Sequence, residues 1–207
     1  MIFNIINSVK NISRLLLSSL SSVFIIYKIT NNRIININEN KIIEKSILAS
    51  INIFYTYIIL VIFEYNTQKY IDTSNHNITR MISNIIKSSV LIEFTYYILH
   101  RILHTSYLYK NFHIYHHRTV NIYPIDSFIV DIIDILFFVI SNYMPIFILD
   151  INLLEHMIIL YFYITSIIIT HSNIISKIHI NHHKYYKYNY CIIIPYFDIL
   201  CNTYKID

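Results

Sequence analysis

The fold class predicted from the sequence is all-α: a multi-pass transmembrane helical bundle capped on its cytosolic side by a histidine-rich site for two metal ions. Three observations predict it. The 207 residues are 55% hydrophobic, with a mean hydropathy of +0.48, and the apolar residues gather in runs close to the length that crosses a bilayer. Eight of the 11 histidines lie in three five-residue clusters, HRILH at 100–104, HIYHH at 113–117 and HINHH at 179–183, where random scatter would leave about one. Their spacing is helical: His100 and His104 stand at i and i+4, and His113, His116, His117 and His179, His182, His183 each stand at i, i+3, i+4, which aims imidazoles from one side of a helix.

Taken in order, the apolar runs are 15–29, 47–63, 81–99, 128–149 and 153–170. The first is short and broken by serines, and reads as either a spanning or an interfacial helix. Lys10 and Arg14 ahead of its leucines give it the look of a signal peptide, but no small-residue cleavage site follows, so an uncleaved anchor is expected. The fourth and fifth runs are expected to form a hairpin turning at 150–152. That places all three histidine clusters on one side of the membrane, as one shared site requires. The loop 28–45 carries Lys28, Arg33, Lys41 and Lys45, whereas 64–80 carries only Lys69 and Arg80; by the positive-inside tendency the first loop and the histidine face are cytosolic. Asn77-Ile78-Thr79 is a glycosylation sequon on the opposite side, in a chain so rich in asparagine that chance explains it equally well. The expected division is 1–80, N-terminal membrane helices, and 81–207, the histidine-bearing domain. Glycine is absent, so left-handed turns must fall to residues such as Asn or Asp.

The net charge of +4 without a long basic run gives no case for nucleic-acid binding; cationic loop ends suit membrane lipids instead. Cys191 and Cys201 have neither CxxC nor zinc-ribbon spacing, so they are expected to be ordinary thiols. An all-histidine ligand set suits Fe, Zn, Cu or Ni alike. Number is more informative: eight imidazoles exceed what one zinc takes, so two ions are expected. Two metals at the mouth of a bundle that otherwise faces lipid point to chemistry on a lipid carbon. A metal transporter or store would carry ionisable residues along its spans, whereas these histidines cluster at span ends.

The stretch EFTYYILHRILHTSYLYKNFHIYHHRTV, 93–120, resembles the first two histidine boxes of the fatty acid hydroxylase and sterol desaturase superfamily. Its order of an acidic residue, a tyrosine, HRxLH, Leu-Tyr-Lys and HxxHH is most similar to the C-5 sterol desaturases (lathosterol oxidase-like). HINHHKYYKYNYCIIIPYFDILCNTYK, 179–205, resembles that family's third box and tail, with Tyr185, Tyr188, Asn189 and Tyr190 in place and Phe197 where a Trp is usual. The likeness runs from about residue 81 to the C-terminus and makes 81–207 a fatty acid hydroxylase-like domain. It implies a non-haem di-iron oxidoreductase of the endoplasmic reticulum, a sterol desaturase using O2 and electrons from NAD(P)H by way of cytochrome b5 and its reductase. A fatty acid or sterol-methyl hydroxylase is the alternative within the superfamily, and an inactive lipid- or metal-binding membrane protein the alternative outside it. The implied metal ligands are His100, His104, His113, His116, His117, His179, His182 and His183, with His171 of ITHSN as a ninth. Zinc in a purified sample, lacking redox chemistry, is expected to be a replacement for iron.

Besides Phe197, the sequence departs from that family at several places. Asp131 stands where a histidine is common, and as a carboxylate is expected either to bind metal or to orient a ligand; Asp134 keeps the acidic position. The connection from His171 to His179 is short, which puts His171 in question. Cys191 and Cys201 replace glycines, a cost if those turns need positive φ. Glu93 and Tyr96, two turns and one turn before His100, lie toward the histidine side of their helix, and Glu93 is a candidate partner for a ligating imidazole. Tyr185 to Tyr190 read either as the substrate mouth or as an interfacial belt. Arg101 and Lys110 read as solvated or phosphate-facing, and His76 and His156 are assigned no role.

Overall fold

The apolar runs form long helices, one of which carries Pro145 within its last turn. The computed structural model describes all residues except 1, 37, 39, 119–120, 173, 175–176 and 207; the end of the HIYHHRTV stretch, Asn173 of ITHSN and part of the 171–179 connection therefore lie outside the described residues. The helices are α1 (Ile2–Ile29), α2 (Ile42–Thr67), α3 (Ile78–Leu103), α4 (Ser106–Asn111), α5 (Ile132–Ile148), α6 (Leu153–Thr170), α7 (Ile178–Tyr185) and α8 (Tyr196–Leu200), with 3-10 turns at Gln68–Tyr70, His113–Arg118 and Pro124–Phe128. No strand occurs among the described residues, so the all-α class holds.

Three helical stretches are long and apolar enough to cross a membrane: Asn4–Ile29, Ile42–Tyr70 and Leu153–Thr170. At about 1.5 Å per residue the first two exceed the roughly 30 Å of a hydrocarbon core. The serine-broken first run is thus part of a 26-residue candidate span. Several of its serines are bonded: Ser8 and Ser18 donate to the carbonyls of Asn4 and Leu15, and Ser22 Oγ lies 2.6 Å from the Tyr161 hydroxyl on α6, whereas the buried Ser19 hydroxyl meets no partner among the described residues. The run at 81–99 lies in α3, which carries Arg80, Lys87, Glu93 and Arg101 and is not among the three. The run at 128–149 becomes helical only at Ile132, because Pro124–Phe128 forms a 3-10 turn and Asp131 caps α5, its side chain accepting from the Ile133 N–H. That leaves 17 residues.

The expected hairpin is present. Asn152 caps α6 in a reciprocal capping box with Glu155, and α5 and α6 return the chain to the side where α3 ended. One core of Ile12, Leu15, Val23, Leu60, Val139, Tyr143, Leu160 and Ile168 joins α1, α2, α5 and α6. Connectivity then puts the C-terminal ends of α1, α3 and α6 and the N-terminal ends of α2 and α5 at the same end of the bundle. Positive φ falls, among the described residues, on Asn31, Tyr186, Asn189 and Asn202; three of the four are asparagine, as a chain without glycine requires. Cys191 and Cys201 are not among them, so neither meets the penalty expected of a lost glycine. The cysteines are free thiols, one buried and one exposed.

At the far end, Asn77 of the sequon caps α3, its side chain accepting from the Arg80 N–H. Here each of the two unassigned histidines lies against a carboxylate. His76 donates from Nδ1 to Glu155 at 2.7 Å and from Nε2 to Asp72 at 2.9 Å. His156 Nε2 lies 3.4 Å from the buried Glu64 carboxylate, which also accepts from Tyr143.

Candidate metal centre

The nine histidines do converge, and they sort into two clusters. His100, His104, His113, His117 and His182 form one, and His116, His171, His179 and His183 the other; within each, one nitrogen per residue lies within 4.8 Å of all the others. All but His104 are buried. In the two α-helical boxes the sorting follows helical geometry. Residues at i and i+4 differ by about 40° and stay together, as His100 with His104 and His179 with His183; i+3 falls about 60° the other way, so His182 leaves its neighbours for the first cluster. The second box is a 3-10 turn rather than the expected α-helix. His113 and His116, nearly eclipsed there, stand 5.3 Å apart between ring centroids, one in each cluster. His171, despite its short connection, reaches the second cluster with Nε2 3.1 Å from that of His179.

The donor atoms are spaced for cations. Nε2–Nε2 distances are 3.2 Å for His100–His113, 3.1 Å for His113–His117, 3.1 Å for His117–His182, 3.2 Å for His104–His182, 3.2 Å for His116–His183 and 3.2 Å for His179–His183. Nitrogens bound at about 2.1 Å to one ion stand about 3.0–3.4 Å apart for inter-ligand angles near 90–109°. On four of the rings a hydrogen-bond acceptor holds the opposite, Nδ1 side. Nδ1 of His100 donates to the Tyr190 carbonyl at 2.8 Å, that of His182 to Tyr188 at 2.6 Å, that of His171 to Ile167 at 2.8 Å, and that of His113 to Asp134 Oδ1 at 2.6 Å. Neutral rings so fixed present bare Nε2 lone pairs to one another, a repulsive arrangement that a cation between them reverses. Burial, and then the neighbouring imidazoles, push the protonation of His104, His116, His117, His179, His182 and His183 well below the ordinary imidazole range; burial alone holds His171 down at about 4. These seven rings are therefore neutral near pH 7, the ligating form.

The comparison with family models matches the fatty acid hydroxylase family over residues 85–203, more than half the chain and all nine histidines. The chain belongs to the fatty acid hydroxylase family. This makes it an oxidoreductase-type membrane protein whose paired histidine clusters fit a metal-dependent, iron-type site. Neither the curated proteins nor the solved structures contain a match.

Several supporting residues of this family member differ from the sequence expectation. Among the described residues Glu93 makes no hydrogen bond to a histidine. Its carboxylate accepts the N–H groups of Ile192, Ile193 and Ile194 at 2.8, 3.0 and 3.2 Å and the Tyr163 hydroxyl at 3.4 Å. It therefore straps down the segment after Tyr190, whose carbonyl orients His100. Asp198 does the same from the other side, accepting from the N–H groups of Tyr190 and Cys191. Asp131 caps α5, and Asp134 is the carboxylate that meets an imidazole; its second oxygen accepts from the Asp131 N–H. Tyr185 to Tyr190 line no part of the cavity beside the histidines. Tyr188 and Tyr190 act through their carbonyls, and the Tyr190 ring packs 5.2 Å from that of His104. Arg101 is exposed, donating to the Tyr97 hydroxyl.

A cavity of about 70 Å³ lies against both clusters, touching His113, His116 and His171. Its other walls are Leu16, Phe128, Val130, Ile135, Phe138, Ile164, Ile167 and Ile168, with Tyr96, Thr56, Ser127 and Asp134 supplying polar atoms. An apolar slot ending on two sets of imidazoles suits an alkyl group brought beside metal.

Proposed function

We propose that this protein is a membrane-bound, O2-dependent di-iron oxidase that removes hydrogen from a lipid C–H bond, with His100, His104, His113, His117 and His182 holding one iron and His116, His171, His179 and His183 the other. The observation that carries the reading is the pairing of two buried Nε2 clusters with an apolar cavity touching both. Bound iron supplies the oxidising equivalent that no side chain can. The protein's share is to keep the imidazoles neutral, fix their tautomers through Asp134 and the carbonyls of Tyr188, Tyr190 and Ile167, and exclude water with Ile135, Phe138 and Ile164. Electrons come from NAD(P)H by way of cytochrome b5 and its reductase, in the endoplasmic reticulum with the histidine face cytosolic; the basic loop 28–45 at that end of the bundle supports the orientation.

The order of motifs around the boxes favours a C-5 sterol desaturase-like activity. A second reading, hydroxylation or desaturation of an acyl chain, is favoured by the cavity: at about 70 Å³ it is smaller than the few hundred Å³ of a typical ligand pocket and fits a single alkyl chain better than a fused ring system. Expression in a yeast lacking its C-5 sterol desaturase, with sterols and acyl chains profiled together and a His116→Ala control, separates them. Conversion of the precursor sterol supports the first reading. Unchanged sterol with new hydroxylated or unsaturated acyl chains supports the second, and no change in either class removes both.

A further inference from the structure

We propose that the alkyl tail of the substrate enters sideways from the bilayer, past a neck formed by Phe128 and Ile168. The inference rests on reading the inner cavity as the oxidation site. An open groove of about 580 Å³ lies on the bundle's flank, walled by Leu20, Val23, Phe24 and Ile25 of α1, Ile53 of α2, and Pro124 and Ile125 of the 3-10 turn. Its lining is almost wholly apolar, with Ser21 the one hydroxyl among the residues that form it. Phe24 and Ile25 are 58% and 54% exposed, so in a membrane the groove faces lipid.

The groove and the inner cavity share two residues, Phe128 and Ile168. On the outer side of this pair lies lipid-facing surface, and on the inner side His113, His116 and His171. The two halves of the neck are held differently. Ile168 is 3% exposed and sits in the core of α6, a fixed jamb. Phe128 is half-buried and ends the 3-10 turn. Its backbone is pinned: Asn52, a buried amide within α2, donates to the carbonyls of Phe128 and Val130 at 2.7 and 2.9 Å, and the Lys45 ammonium lies 2.8 Å from Asp126 in the same turn. With the main chain held on both sides, the soft degree of freedom is the Phe128 side chain. A rotation about χ1 opens the neck without moving the turn. The slot beyond is about 70 Å³, so the occupant is one unbranched alkyl chain, entering end-first while its polar head stays at the interface.

The test is photolabelling of the full-length protein, metal-free and iron-loaded alike, in phosphatidylcholine vesicles containing a palmitate analogue with a mid-chain diazirine. Adducts are mapped by mass spectrometry. The wild type is expected to be labelled in the groove at Phe24 and Ile125 and inside at Tyr96 and Phe138, each above the lipid-facing background at Phe54 and Ile62. Ile168→Trp should cut the inner labelling by about tenfold or more, since even one methylene in a pocket shifts occupancy by that order, while groove labelling persists. Phe128→Ala, a change at a half-exposed site, should raise inner labelling. Absence of wild-type inner labelling, or inner labelling unchanged in both variants, overturns the proposal. So does a groove no more labelled than Phe54 and Ile62. Inner labelling by a photoreactive sterol in place of the acyl probe overturns the assigned occupant. The readout requires no turnover, so failure of the oxidase reading shows separately, as absent product in the lipid profile.

Discussion

Asp134 and Asp131 are three residues apart and make reciprocal bonds, yet the structure assigns them different work, which a pair of conservative substitutions separates. Asp134 Oδ1 receives the His113 Nδ1 proton at 2.6 Å and Oδ2 receives the Asp131 N–H at 3.1 Å, with the side chain only 8% exposed. In Asp134→Asn one oxygen becomes an NH2, so in either orientation of the amide one of these donors faces another donor. The lost charge-assisted bond is worth about 1.5–3 kcal/mol. If it falls on His113, the first cluster loses the group that holds a ligating ring in place, a change that typically costs about 10–100-fold in metal affinity. Asp131→Asn keeps a good N-cap acceptor for the Ile133 N–H and should cost little stability and no metal. Chelator competition on iron-loaded protein measures both. Asp134→Ala removes the acceptor in every orientation; an affinity equal to wild type in that variant, or an equal loss in Asp131→Asn, would refute the assignment of His113's orientation to Asp134.

Two further predictions concern the supports. Glu93→Gln leaves three N–H groups, of Ile192, Ile193 and Ile194, sharing one neutral oxygen; thermal stability should fall by about 1–3 kcal/mol, and hydrogen exchange at 192–194 should rise before that of α5. Unchanged exchange there would show that the strap is not needed. His76 lies between Asp72 and Glu155, and its hydrogen bonds to these two carboxylates, Asp72's first, raise its protonation above the ordinary imidazole value. A raised histidine stabilises the fold at pH below the unfolded value of about 6.5 and loses that contribution as pH climbs through the folded one. His76→Gln should therefore lower the melting temperature at pH 6 and converge with wild type in alkaline buffer; a difference that grows with pH would contradict the pairing.

The bundle was legible in the sequence because hydrophobic runs and histidine spacing report the same helices independently. The apolar runs located the α5–α6 hairpin, and the helical spacing of the histidines pointed to their convergence, here as two clusters. What the spacing did not disclose is that each HxxHH triplet straddles both centres, since i+3 and i+4 look like one helix side until partners from other segments are in place. The 3-10 form of the second box and the late start of α5 depend on Pro124, Asp126 and Asp131 acting together, local signals that an unbroken apolar run concealed. The place of Glu93 on α3 makes it a candidate imidazole partner; its partners, the N–H groups of Ile192 to Ile194 and the Tyr163 hydroxyl, come from distant parts of the chain, beyond the reach of helical periodicity. His76 and His156 drew no assignment for the same reason. Their carboxylate partners, Glu155 and Glu64, come from other helices.

Metal stoichiometry of anaerobically purified, iron-supplemented protein tests the two-cluster arrangement most directly, measured for wild type, His182→Ala and His183→Ala. These adjacent residues belong to different clusters. About two irons per chain are expected in wild type, and about one in each variant, with the retained iron in different surroundings by Mössbauer spectroscopy. A wild type holding one iron or none, or variants that lose the same iron, would contradict the division of these histidines between two centres.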